Sequence, residues 1–140
     1  DGRRSYGDYS SAVKILTHPE VPRKVRFWQT QNTAACGNAV LTMNVSKRAD
    51  GYYVYQLKNG RYRVAYKISG TKVYQRTGTK KQKVYHRIGT AKLKNGKITC
   101  TLPGVSGTGG CQAYFKVRSY AKKSGCQQQN SLYSKPKKLY

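Results

Sequence analysis

Five dipeptides ending in glycine, Asn59-Gly60, Ser69-Gly70, Thr77-Gly78, Asn95-Gly96 and Ser124-Gly125, punctuate the chain at short intervals. The runs between them are rich in Tyr, Val, Ile and Thr, side chains that suit a pleated, half-buried surface. Asn-Gly readily adopts the two consecutive positive φ angles that a tight hairpin turn requires. Turns this close together leave little room for long helices, and no segment has a convincing helical apolar period. The layout predicts an all-β chain of antiparallel strands, folded as a sandwich or a barrel.

Side chains of a strand point to opposite faces in turn, so a half-buried strand alternates apolar and polar residues. Tyr62, Val64, Tyr66 and Ile68 alternate with Arg61, Arg63, Ala65 and Lys67, which predicts one buried face and one strongly basic face. Ala39, Leu41, Met43 and Val45 alternate with Val40, Thr42 and Asn44, and Ala113, Phe115, Val117 and Ser119 alternate with Tyr114, Lys116, Arg118 and Tyr120. Together with Tyr52, Val54, Ile98 and Leu102, these form the expected core. A length of 140 residues suits one domain, since domains usually run to roughly 100–150 residues. Thirteen Tyr, two Phe and one Trp offset a hydrophobic fraction of only 37%, because each aromatic buries a large area.

Charge narrows the function. Twenty-eight Lys and Arg face four acids, Asp1, Asp8, Glu20 and Asp50, for a net charge of +24. Paired-carboxylate chemistry such as glycoside hydrolysis is nearly excluded. Residues 51–140 contain no acid and hold 20 of the 28 basic side chains, so the body of the domain cannot neutralise itself and its surface is expected to be positive. Self-repulsion of this size costs stability, so either a polyanion or a partner offsets it or the disulfides tolerate it. The candidates are an anionic cell-wall polymer, a sulfated or sialylated glycan, extracellular nucleic acid, or acidic modules of the same parent protein. No helix-turn-helix or aromatic RNA-binding signature is visible. Tyr62 and Tyr66 share a face with Val64 and Ile68, so they are expected in the core and not on a base-stacking platform.

Only His18 and His86 could act as acid and base near neutral pH. The alternative function is therefore a small secreted basic ribonuclease, with one imidazole taking the 2′-hydroxyl proton, the other protonating the leaving oxygen, and a lysine stabilising the phosphorane. Their placement favours surface histidines: His18 precedes Pro19 in a linker-like stretch, and His86 sits between Tyr85 and Arg87 in a strand-like run. No Gly-x-Ser-x-Gly nucleophile motif occurs, metal ligands are too few, and no cofactor is implied, so the expected protein is not an enzyme. Cys36, Cys100, Cys111 and Cys126, spaced by 64, 11 and 15 residues, make none of the close pairs of a zinc ribbon. An even count fits two disulfides and an oxidising compartment, against four reduced core thiols in a cytosolic protein, and three pairings are open. No stretch approaches 18 consecutive apolar residues and no leader pattern opens the chain, which reads as a mature form or an excised piece without a helical membrane span.

Two internal echoes bear on organisation. Leu57-Lys58-Asn59-Gly60-Arg61 recurs as Leu93-Lys94-Asn95-Gly96-Lys97, which predicts two similar hairpins. The segment from Tyr9 to Ile15 echoes Tyr133 to Leu139, and is followed by the extended stretch Thr17-His18-Pro19-Glu20-Val21-Pro22. Residues 1–20 are accordingly expected to be an extra strand and linker, and residues 21–140 the domain proper.

Pro22-Arg23-Lys24-Val25 at a first strand, Ala39-Val40-Leu41-Thr42-Met43 at a second and Ala49-Asp50-Gly51-Tyr52-Tyr53-Val54-Tyr55 at a third are followed by Leu102-Pro103-Gly104. Next come Tyr114-Phe115-Lys116-Val117-Arg118-Ser119-Tyr120 and Leu132-Tyr133-Ser134. In this order the motifs resemble a fibronectin type III module of the kind found in tandem on bacterial surface proteins. The resemblance covers most of residues 21–140 and implies an immunoglobulin-like sandwich of two antiparallel sheets. Met43 stands where the family usually has a core tryptophan, and Ala113 where it has a corner tyrosine. The stretch from Asn59 to Lys83 is longer than the family needs and is expected to form an inserted basic hairpin.

The resemblance also implies that Cys36 meets Cys111 or Cys100 near one pole, with Cys126 starting from the other. It makes Tyr9 to Ile15 the end of a preceding module, or else a strand that joins a neighbouring subunit by β-strand addition. The expected function is a non-catalytic extracellular structural or adhesive module of a bacterial surface protein or filament. Its anion-contacting residues are expected to be Arg61, Arg63, Lys67, Lys72, Arg76, Lys80, Lys81, Lys83 and Arg87, with Lys92 and Lys94 extending the surface.

Overall fold

The computed structural model describes residues 18–29, 38–78, 83–103 and 113–138. Two antiparallel sheets pack together, and there is no helix among the described residues. The smaller sheet has the order β1 (Arg26–Gln29), β2 (Ala39–Asn44), β8 (Lys97–Leu102), β7 (Lys92–Lys94). The larger runs β10 (Gln129–Asn130), β9 (Tyr114–Ala121), β3 (Gly51–Lys58), β4 (Arg61–Ser69), β5 (Lys72–Gly78), β6 (Lys83–Thr90), with β11 (Lys137–Lys138) also paired to β9. The expected two-sheet antiparallel sandwich is the observed architecture. Its two echoed turns behave alike: Asn59 and Gly60 have φ of 51° and 76°, Asn95 and Gly96 of 52° and 73°, and each pair closes a two-residue hairpin.

The stretch from Asn59 to Lys83, expected as one basic hairpin, is not a single hairpin. β3 and β4 already form one hairpin, and β5 with β6 extends the same sheet beyond it. The basic stretch from Arg61 to Lys83 therefore crosses β4, β5 and the first residue of β6.

Between the sheets lie Leu41 and Met43 of β2, Val54 of β3, Tyr66 and Ile68 of β4, Ile98 and Leu102 of β8, and Phe115 and Val117 of β9. Phe27 stacks on Phe115, ring centroids 4.3 Å apart, tying β1 to the opposite sheet. Tyr52, Ala39, Ala113 and Ser119 are buried as expected. Three expected core residues are not. Val45 falls beyond the end of β2 and is 43% exposed.

Tyr62 and Val64 lie on the other side of the sheet because β4 carries a β-bulge. Val54 pairs with Tyr66 but Tyr55 pairs with Val64, which leaves Ala65 as an extra residue and reverses the alternation N-terminal to it. Tyr66 and Ile68 consequently face the core. Tyr62 and Val64 share the outer face with Tyr55, and Arg61 and Arg63 point to the inner side where the β3–β4 hairpin projects into solvent.

The cysteines depart from the expectation of two bridges. Cys100 and Cys126 carry free thiols, while Cys36 and Cys111 lie outside the described residues. Cys100 points inward from β8 with Ile98 and Leu102 and behaves as a small core hydrophobe. Burial pushes its thiol up to about 12, so it is a poor nucleophile.

Residues 18–20, expected as linker, are docked on the domain. The Glu20 N–H donates to the Lys47 carbonyl (3.0 Å), the Ser119 hydroxyl donates to the Glu20 carbonyl (2.6 Å), and Pro19 is buried. The strand expected at Tyr9 to Ile15 lies outside the described residues.

The last strand is interrupted between β10 and β11, and two serine hydroxyls bridge the gap. The Ser119 N–H donates to Ser131 Oγ (2.9 Å) and the Val117 N–H to Ser134 Oγ (3.0 Å). In return the Ser131 and Ser134 N–H groups donate to the Ser119 and Val117 carbonyls. The backbone of β9 stays satisfied, while Leu132 and Tyr133 between the serines are turned out to 79% and 43% exposure.

Candidate functional site

The outer face of the long sheet is built from alternate residues of β9, β3, β4, β5 and β6. Register places Tyr53 of β3 beside Arg118 of β9 on one flank and Lys67 of β4 on the other, and Tyr55 beside Lys116. Further along, Tyr74 pairs with Lys67 and Arg87, and Arg76 with Tyr85. Period-two alternation then puts all these side chains on one side.

Three cations on this face are framed by tyrosine rings. The Lys67 ammonium lies 5.8, 5.3 and 5.5 Å from the ring centroids of Tyr53, Tyr85 and Tyr120. The Lys116 ammonium lies 4.2 Å from Tyr62 and 5.4 Å from Tyr133. The Arg118 guanidinium lies 5.2 Å from Tyr55 and 4.7 Å from Tyr133. Each contact contributes on the order of 0.5–2 kcal/mol, depending on solvent access. This stabilisation lets a cation tolerate partial burial: Arg118 Nε is buried without a hydrogen-bond partner.

The frame is itself braced. Tyr53 and Tyr120 rings meet at 4.9 Å, Tyr55 and Tyr133 edge to face at 5.0 Å, and Gln128 Nε2 donates to the Tyr53 hydroxyl. Desolvation pushes Tyr55 up to about 12, aided by its hydrogen bond with Tyr133. Burial likewise raises Tyr62, Tyr85 and Tyr120. At neutral pH these phenols are uncharged and do not neutralise the cations beside them.

The described acids are occupied elsewhere. Among the described residues the only two are Glu20 and Asp50. Glu20 pairs with Arg23 at 3.2 Å and accepts the Lys47 N–H, and Asp50 Oδ2 accepts the Lys122 N–H at 2.7 Å. The face thus presents cations and neutral phenols, a surface suited to binding anions.

The structure divides the residues expected to contact anions. Lys67, Lys72, Arg76 and Arg87 share the outer face, and Lys83 opens β6 opposite Gly78. Arg61 and Arg63 lie on the opposite side, Lys92 and Lys94 belong to the edge of the other sheet, and Lys80 and Lys81 lie outside the described residues. Sequence reasoning left out Lys116, Arg118 and their tyrosines. The alternation of β9 marked both cations as facing away from the core, but the strands flanking them could not be read from it.

The two histidines do not come together. His18 Nδ1 donates to the Asn130 carbonyl at β10 (3.2 Å). His86 is exposed on β6 at the other edge of the same sheet, five strand spacings away, which is about 24 Å along the sheet. Among the described residues no three His, Cys, Asp or Glu side chains are grouped as a metal site would need. Comparison with family models, with curated proteins and with solved structures finds no significant match.

Proposed function

We propose that the chain is a non-catalytic β-sandwich module of an extracellular bacterial surface protein or filament, resembling fibronectin type III modules, whose long sheet contacts an anionic polymer. The observation that carries this reading is the outer face itself: three tyrosine-framed cations in a row across β4 and β9, continued by Arg76 and Arg87, with both described acids engaged elsewhere. The two packed antiparallel sheets support the likeness to the family, and the free charge of the face supports the ligand class.

The test is binding to heparin, polyphosphate and single-stranded DNA across a salt series. Lys67→Gln with Lys116→Gln should weaken binding and lower the steepness of its salt dependence by about two counterions. Arg61→Gln with Arg63→Gln, on the other side of the sheet, should change it little. Equal effects of the two pairs would remove the face from the account.

A further inference from the structure

A second basic surface runs along the edge of the sandwich, where the chain approaching β1 passes β11. Two adjoining clefts, of about 600 and 380 Å³, share Val25 and Lys137 in their linings. Their walls carry Arg23, Lys24 and Arg26 on one side and Lys135, Lys137 and Lys138 on the other. Among the described residues, only Arg23 of these six cations has an acid beside it, Glu20. Tyr114 lines one cleft and Tyr133 the other, 39% and 43% exposed. Tyr133 is also the ring that frames Lys116 and Arg118, so the clefts and the outer face of the long sheet form one continuous surface.

We infer that these clefts receive a single nucleic-acid strand, with its phosphates between the two cationic walls and its bases against Tyr114 and Tyr133. The inference rests on the anionic-polymer reading above and names both the ligand class and an additional contact surface. Charges on two facing walls suit a narrow chain that enters between them, whereas a duplex would meet only the rims. The exposed rings separate nucleic acid from a sulfated glycan. Sulfates need only the cations, but an unpaired base offers a π-face to each ring, and aromatic rings beside a basic groove are the usual means of holding single strands without sequence preference.

The experiment compares an oligothymidylate of about twelve nucleotides, a length within the usual site sizes, with an abasic deoxyribose-phosphate chain of the same length and with heparin. The proteins are wild type, Lys135→Gln/Lys137→Gln and Lys67→Gln/Lys116→Gln, each checked by circular dichroism. Wild type should bind the oligothymidylate at least about fivefold more tightly than the abasic chain, the lower end of what one stacked base provides. The Lys135→Gln/Lys137→Gln variant should lose affinity for it, with a salt slope lower by about 1.4 for two lost phosphate contacts on a single strand. Equal affinity for the abasic and thymidylate chains would overturn the ligand class and leave the polyanion reading standing. Undiminished binding by Lys135→Gln/Lys137→Gln, with loss confined to Lys67→Gln/Lys116→Gln, would overturn the cleft. No binding of any of the three polymers would overturn both readings.

Discussion

Gly51 opens β3 at a point where a side chain has no room. A Cβ there would run into the Ile68 carbonyl and the Tyr120 ring and hydroxyl, and backbone cannot give way as a flexible side chain can. Gly51→Ala should therefore cost about 1–3 kcal/mol or more in urea unfolding, and it should also shift Tyr120, one of the three rings around Lys67. Buried protonated groups set the alkaline limit of stability. Cys100 rises from 9.0 to about 12 and Tyr66 from 10.0 to about 12, both through burial. Between the unfolded and folded values the native chain keeps protons that the unfolded chain has lost, so their contribution is complete below about pH 9 and is lost as pH rises towards 12. Melting temperature should decline first above about pH 9, and Cys100→Ala should remove the part of that decline below about pH 10. An alkaline limb identical to wild type would show that the thiol is not buried as described.

The bulge at Ala65 decides which tyrosines of β4 serve the core. Tyr66 is buried and its hydroxyl donates to the Pro103 carbonyl at 2.6 Å, so Tyr66→Ala should cost about 3–5 kcal/mol. Tyr62→Ala should cost about 1 kcal/mol or less, chiefly its contact with Lys116, and chemical denaturation of the two variants separates them. Equal costs would restore the uninterrupted alternation that the sequence suggests. The β2 and β9 core faces were legible because their alternation runs unbroken from Ala39 to Met43 and from Ala113 to Ser119. The bulge was not, since Ala65 carries no local signal of its own and the phase change exists only relative to β3. The site was half legible for a similar reason. Lys116 and Arg118 could be read as facing away from the core, but their tyrosines come from β3, β4 and the interruption between β10 and β11, and pairing across such sequence distances is fixed by the whole sheet. Ser131 and Ser134 illustrate the same limit: their hydroxyls continue the ladder of β9, and Ser134→Ala should cost about 1–3 kcal/mol by orphaning the buried Val117 N–H.

At the scale of the molecule, a net charge of +24 is held on a small sandwich whose two described acids are already engaged. Raising ionic strength from about 0.01 to 1 M shortens the screening length from about 30 to 3 Å, so the melting temperature should rise with salt, and it should rise further with a polyanion that binds only the folded state. A melting temperature that falls with salt would mean that ion pairs outweigh repulsion. Whether the tyrosine-framed face binds anions is decided by titrating the isotopically labelled chain with a short polyanion and following its lysine, arginine and tyrosine side chains by NMR. The shifts should concentrate on Lys67, Lys116, Arg118, Tyr85 and Tyr133, with Lys92, Lys94 and Lys97 on the other sheet little changed. Shifts centred on those three lysines, with the tyrosine-framed cations unmoved, would contradict anion binding at that face.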